Sequence, residues 1–123
     1  MVFGIVNLAI KNMRPIPQQL KEKLASKKYY KYCAECRKEG VQWHHNLIFG
    51  GKQVNAEFCI IPLCPSCHDK ARNREFKERL DWMMLNRATE EELFEYSKAI
   101  NYNRIKSVLN EKYGIYHIPR ELL

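Results

Sequence analysis

Apolar and polar residues alternate in patterns that change several times along this chain of 123 residues. Val2 to Ile10 has the β-branched and aromatic content of a strand, and the Pro15-Ile16-Pro17 sequence that follows it stops regular structure. A helix is predicted from Gln18 to Lys28. Two apolar runs, Val41 to Trp43 and Phe58 to Leu63, are too short for helices and predict a two-stranded ribbon.

The second half of the chain has the patterns of helices. Between His68 and Leu85 the apolar positions suit a helix that packs on the ribbon. Thr89-Glu90-Glu91-Glu92 matches a capping box and predicts the start of another helix. A last helix is predicted from Asn103 to Tyr113, with its end at Gly114. The apolar stripe of this last helix comprises Ile105, Val108, Leu109 and Tyr113.

These elements predict one α+β domain over residues 1–123, in which Gly50-Gly51 marks a turn between the two strands. An apolar content of 46% is enough for one modest core. The predicted parts are a basic N-terminal segment (1–32), a core (33–86) and C-terminal helices (87–123). The N-terminal apolar run spans only nine residues, so we expect neither a signal peptide nor a membrane span, no membrane partner, and a cytoplasmic location.

The formal net charge is +7, which favours a polyanionic partner such as nucleic acid. Residues 1–58 hold ten lysines and arginines against four acidic residues, whereas residues 59–123 hold eleven against ten. The alternative is a solvated basic face that only aids solubility. The tyrosines within Lys27–Tyr32 could stack on bases or pack on the domain. The basic residues that we predict to contact phosphates are Lys27, Lys28, Lys31, Arg37, Lys38, Lys52, Arg72, Arg74 and Lys77.

Four of the five cysteines form two CxxC pairs separated by 27 residues, Cys33/Cys36 and Cys64/Cys67. This spacing allows two turns to present four thiolates to one tetrahedral zinc ion. Sulfur in all four positions leaves no site for water, so the zinc is expected to be structural and to supply much of the local folding free energy. A redox role is the alternative for either pair taken alone.

The histidines lie close to both pairs in the sequence. The segment from Trp43-His44-His45-Asn46 to Cys64-Pro65-Ser66-Cys67-His68 resembles the zinc-stabilised, four-cysteine type of the HNH nuclease family. The resemblance covers residues 33–72. It implies a ββα-metal core, in which a histidine pair ends the first strand and a last histidine opens the helix. Small HNH proteins of this kind are often encoded by phages or prophages, so such an origin is expected here.

The resemblance also implies chemical roles for the histidines. His45 is similar to the general base that activates a water, and His44 and His68 are similar to the ligands of a catalytic Mg²⁺ or Mn²⁺ ion. Because adjacent residues on a strand point to opposite faces, which of His44 and His45 is base and which is ligand stays open. The alternative is that the three histidines only pack around the cysteine turns, with His68 capping a helix.

Two positions depart from the family pattern. Cys59, nine residues before His68, stands where the family has an asparagine that orients the base, and a thiol is a poor substitute for that amide. Asn46 or Asn55 could supply the amide instead. Arg72 stands where some members have a further histidine, which leaves the cation two protein ligands and places Arg72 to contact phosphate.

Three hypotheses about function follow. The first is a metal-dependent endonuclease that hydrolyses DNA phosphodiester bonds. The second is a catalytically inactive nucleic-acid-binding module stabilised by zinc, which Cys59 favours. The third is a phage protein-interaction or inhibitor factor, in which the C-terminal helices contact a host protein. No motif predicts an oligomeric state.

Overall fold

A two-stranded antiparallel sheet and five α-helices make up the fold in the computed structural model, which describes residues 15–49 and 51–123. The predicted α+β class is therefore confirmed. The strand predicted over Val2–Ile10 lies outside the described residues. The helices are α1 (Gln18–Ala25), α2 (Pro65–Asp69), α3 (Arg74–Arg87), α4 (Glu90–Tyr96) and α5 (Tyr102–Tyr113), and the strands are β1 (Gln42–His45) and β2 (Ile60–Leu63). None of the described helices is long and apolar enough to cross a membrane.

The sheet pairs β1 with β2 so that His44 lies opposite Ile61 and His45 lies opposite Ile60. β2 is buried along its whole length, and its residues alternate between two apolar clusters. Ile60 packs with Leu24, whereas Ile61 belongs to the larger cluster that includes Leu80 of α3. The strand prediction for 58–63 is too long, because Glu57–Cys59 forms a 3₁₀ turn before β2.

The helix predicted from His68 to Leu85 is interrupted, which corrects the sequence-based expectation. α2 and a 3₁₀ turn (Lys70–Arg72) end at Asn73, whose backbone is extended. The Asn73 side-chain oxygen accepts hydrogen bonds from the backbone N–H groups of Glu75 (2.9 Å) and Phe76 (3.2 Å). An asparagine that caps a new helix in this way sets the direction of α3 independently of α2.

The predicted ends of the later helices are mostly correct. Thr89 and Glu92 form the predicted capping box at the start of α4. α5 ends at Gly114, where a φ of 86° favours glycine. The predicted stripe of α5 is only partly correct, since Val108 is 57% exposed while Leu109 is buried. The predicted helix 18–28 ends early, at Ala25, and a 3₁₀ turn (Lys28–Lys31) follows.

The tyrosines that follow α1 pack on the protein. Tyr29 and Tyr30 are buried, and the Arg87 guanidinium lies over their rings at 4.7 Å and 5.2 Å from the centroids. The Tyr30 hydroxyl accepts a hydrogen bond from Arg87 and donates to the carbonyl of Ile60 (3.0 Å). The Trp43 indole N–H donates to the carbonyl of Tyr30 (3.0 Å). Tyr29 and Tyr30 therefore anchor the N-terminal segment to the sheet and to α3, and their rings are not available to stack on bases.

The interruption at Asn73 leads to a prediction. Asn73→Ala should lower the free energy of unfolding by about 1 kcal/mol, because two N–H groups of α3 lose their acceptor, whereas Asn73→Asp should retain the stability. Urea denaturation of the zinc-loaded protein measures both. Asn103→Ala, at an exposed position in the first turn of α5, is the matched control. Equal stability of Asn73→Ala and the parent would contradict the capping role.

Candidate metal centres

The four cysteines of the two CxxC pairs come together in one cluster. The sulfur atoms of Cys33, Cys36, Cys64 and Cys67 all lie within 4.8 Å of one another, and Cys36 Sγ and Cys64 Sγ are 3.6 Å apart. A tetrahedral zinc ion with Zn–S bonds of about 2.3 Å places its sulfur ligands roughly 3.8 Å apart. The cluster is therefore compatible with a metal ion such as zinc.

The first pair is held by a tight turn. The backbone N–H of Arg37 donates to the carbonyl of Cys33 (2.8 Å), and the N–H of Cys33 donates to the carbonyl of Lys38 (2.8 Å). This closure requires a left-handed backbone at Arg37, whose φ is 65°. A residue with a Cβ is strained in that region. The turn therefore directs both sulfur atoms to one side at a cost in backbone energy.

The second pair lies at the start of α2. Cys64 is the N-cap of this helix, and its Sγ accepts a hydrogen bond from the backbone N–H of Cys67 (3.5 Å). This bond lowers the pKa of the Cys64 thiol to about 7. Burial, reinforced by the neighbouring sulfur atoms, raises the pKa of Cys67 above its usual range. A bound cation would supply the positive charge that all four thiolates need.

His44 and His68 form a second candidate metal centre. The strand β1 brings His44, and the helix α2 brings His68, so that their ring centroids are 5.1 Å apart. Burial, together with the charges of His68 and Lys77, lowers the pKa of His44 to about 4. The His44 ring is therefore neutral near pH 7 and has a lone pair available for a cation. Within the described part of the chain, no third histidine, cysteine or carboxylate joins this pair in a cluster.

His45 points away from this pair. Its Nε2 lies 2.9 Å from Asn55 Oδ1, and Gln53 Nε2 donates to the same oxygen (3.3 Å). Since an amide oxygen only accepts hydrogen bonds, this 2.9 Å contact favours the tautomer in which the His45 Nε2 carries the proton and the lone pair of the neutral ring is on Nδ1. Asn55 thus orients the His45 ring.

Asn46 and Cys59 are the other two residues considered for the position next to His45, and both are buried elsewhere. Asn46 is 1% exposed, and its Nδ2 donates to Asp81 (2.9 Å) and to the sulfur of Met84 (3.3 Å). Cys59 is fully buried, and burial raises the pKa of its thiol to about 12. Of the two asparagines considered from the sequence, the structure therefore brings Asn55, not Asn46, to His45.

The basic residues predicted to contact phosphates differ in what they touch. Lys27 forms an ion pair with Glu57 (2.8 Å), and Arg37 forms one with Glu121 (3.2 Å). Lys77 is held by Asp81 and by the carbonyl of Leu47. The remaining members of the set are exposed: Lys28, Lys31, Lys38, Lys52, Arg72 and Arg74.

The buried pair of Asn46 and Asp81, with Lys77 beside it, was not predicted from the sequence. Asp81 is only 7% exposed although it lies within a helix whose pattern is mostly polar. A buried carboxylate is stable only where hydrogen-bond donors surround it, as the Lys77 ammonium and the Asn46 amide do here. The available signal in the sequence was the spacing of four residues between Lys77 and Asp81, which places their side chains next to each other on a helix.

Comparison with known protein families, with curated proteins and with solved structures gives no match for this chain.

The sulfur cluster leads to a prediction about metal content. The purified protein should contain one zinc ion per chain, measured by mass spectrometry of the metals, and should lose its folded structure on chelation, because the two cysteine turns bury little apolar surface without the ion. Cys67→Ser should lose the zinc. Cys59→Ala is the control, since its sulfur lies outside the cluster, and it should keep the zinc. Full zinc content in Cys67→Ser would contradict the four-sulfur site.

The strained turn at Arg37 leads to another prediction. Arg37→Gly should be more stable than Arg37→Ala by about 1 kcal/mol, because glycine adopts a positive φ without the Cβ penalty. Both variants lose the exposed ion pair with Glu121, so the comparison isolates the backbone. Denaturation of the zinc-loaded variants measures the difference. Equal stabilities would show that the turn is not strained.

Proposed function

We propose that this protein is a metal-dependent nuclease that hydrolyses DNA phosphodiester bonds, with a structural zinc ion in the cysteine cluster. The observation that carries the proposal is the arrangement of three histidines on the elements that follow the two cysteine turns: His44 lies next to His68, and His45 is oriented by Asn55. The resemblance of residues 33–72 to HNH nucleases supports the same assignment.

His44 and His68 are the residues that would hold the catalytic cation. β1 follows the first cysteine turn and α2 starts at the second, so the meeting of the two turns brings the two elements that carry these histidines together. Two imidazoles and no clustered carboxylate suit Mg²⁺ or Mn²⁺ only if waters and phosphate oxygens complete the shell. Such a cation, held by His44 and His68, would neutralise charge on the scissile phosphate and on the leaving oxygen.

His45 is the residue that would take the proton from the attacking water. The hydrogen bond with Asn55 leaves Nδ1 of His45 as the basic atom, and the His45 side chain is half-buried, so solvent water reaches it. A neutral imidazole can accept a proton from an attacking water. Asn55 has the role that the family assigns to an asparagine at the position of Cys59, and it acts as a positioning residue.

The exposed basic residues would contact the DNA backbone. Arg72 and Arg74 follow His68 closely in the sequence, and both are exposed. Lys27 and Arg37 are already in ion pairs with carboxylates and should contribute less to phosphate binding than the other exposed cations of the set.

A catalytically inactive nucleic-acid-binding module is the second candidate. It is favoured by the two-residue cation site, since His44 and His68 have no third clustered ligand among the described residues. This protein would bind DNA with an affinity that falls as the salt concentration rises, and it would cut nothing.

The nuclease proposal leads to a prediction for plasmid DNA with added Mg²⁺ or Mn²⁺. The parent should nick the plasmid, and His45→Ala should slow nicking at least ~100-fold, because the water loses its general base. Asn55→Ala should slow it roughly 10-fold to 100-fold, the usual effect of removing a residue that orients another. Asn55→Asp should restore much of the rate, because a carboxylate oxygen also accepts from Nε2.

His117→Ala is the matched control, since His117 is exposed and lies on the C-terminal segment. It should cut like the parent, and all variants should contain equal zinc. A zinc-loaded parent that binds DNA but cuts with neither metal would overturn the nuclease proposal and leave the binding module.

A further inference from the structure

A groove of about 410 Å³ lies between the turn that follows β1 and the segment that joins α4 to α5. Residues 48, 49 and 52–54 line one side, and residues of the segment 96–102 line the other. Ile48 and Lys52 pair across the turn, and Gly51 has the positive φ (74°) that a tight turn requires. The volume is within the range of small-molecule sites, roughly 300–1,000 Å³.

Aromatic rings form much of the groove. Phe49 stacks on Tyr102 with ring centroids 5.7 Å apart and an interplanar angle of 29°. Tyr96 packs against Phe58 at 6.0 Å. Because Tyr102 and Phe58 are buried, these contacts hold Phe49 and Tyr96 in fixed orientations. Rigid aromatic walls suit a flat, largely apolar ring.

The rim of the groove is positively charged. Lys52 and Lys98 both line it and are exposed, and no described side chain that lines the groove is acidic. An occupant should therefore combine a flat ring with negative charge. Nucleotides have this combination, since single-stranded nucleic acids bind by placing bases on aromatic side chains and phosphates near cations.

The groove adjoins the residues proposed for catalysis. Gln53 lines it, donates to Asn55 Oδ1, and has its Nε2 3.5 Å from Nε2 of His45. A nucleotide whose base enters the groove would lie beside Gln53, and so its backbone could reach His45. In a duplex the base is stacked and paired, so it could enter only after being flipped out.

We infer that this groove binds an unpaired base of single-stranded DNA next to the phosphate that is cut. The position of the cut relative to the base rests on the proposed nuclease function. Binding of the base itself requires only the groove. The substrate class is then single-stranded DNA, or DNA with an unpaired base, in preference to intact duplex.

The test is fluorescence anisotropy of the zinc-loaded full chain without added Mg²⁺ or Mn²⁺. The probes are a labelled oligothymidine, a strand of the same length and charge made of abasic sites, and an oligouridine. The parent should bind oligothymidine about tenfold or more tightly than the abasic strand, since only the former offers bases to the aromatic walls. It should also bind oligothymidine at least as tightly as oligouridine.

Two variants address the groove. Ala99→Trp fills it from an exposed position and should abolish the preference for bases, and Lys98→Glu should weaken binding of oligothymidine about tenfold or more. Lys21→Glu changes the charge equally on α1, away from the groove, and should keep the preference for bases. Zinc content shows that each variant retains the cysteine cluster, and the difference between Lys98→Glu and Lys21→Glu in binding of oligothymidine relative to the abasic strand decides the matter if Ala99→Trp does not fold.

Equal binding of the base-bearing and abasic strands by the parent would overturn the inference, as would an unchanged preference in Ala99→Trp. A preference for bases seen only with oligouridine would overturn the assignment to DNA. Cleavage of plasmid and of single-stranded DNA with added Mg²⁺ or Mn²⁺ separates the two proposals. Cleavage without a preference for bases removes the groove alone, whereas a preference for bases without cleavage of either DNA removes the nuclease alone.

Discussion

The meeting of four sulfur atoms is the constraint on which the rest of this structure depends. Cys33 and Cys36 come from one tight turn, and Cys64 and Cys67 come from the start of α2, with 27 residues between the pairs. Bringing both turns together fixes where β1 begins and where β2 ends, and so it fixes the register of a sheet of only four paired residues. A two-stranded sheet this short is marginal by itself.

The alternation of side chains along β1 then separates the histidines. His44 lies on the face that meets α2 and α3, beside His68, whereas His45 lies on the other face, beside Asn55. β1 pairs with β2 through His45 without a bulge, so both orientations follow from one regular strand. The two histidines therefore lie on opposite faces at the end of β1, which stops at His45.

A second apolar cluster connects the N-terminal segment to the far side of the sheet. Tyr29 and Tyr30 enclose the guanidinium of Arg87, and Arg87 also donates to the carbonyl of Ile60. Burying an arginine is favourable only when rings and carbonyls replace its water. The same contacts remove these tyrosines from any part in base stacking.

The sequence by itself determined the features that depend on local spacing: the two CxxC pairs, the capping box at Thr89 and the helix end at Gly114. It determined the two strands approximately, but it missed the break at Asn73, because a capping asparagine within an apolar pattern looks like a helical residue. Only the tertiary structure decided that Asn55 contacts His45, and that the turn after β1 lies against the segment 96–102. Both contacts join parts of the chain whose approach depends on the folded backbone, and residue spacing alone carries no information about such distances.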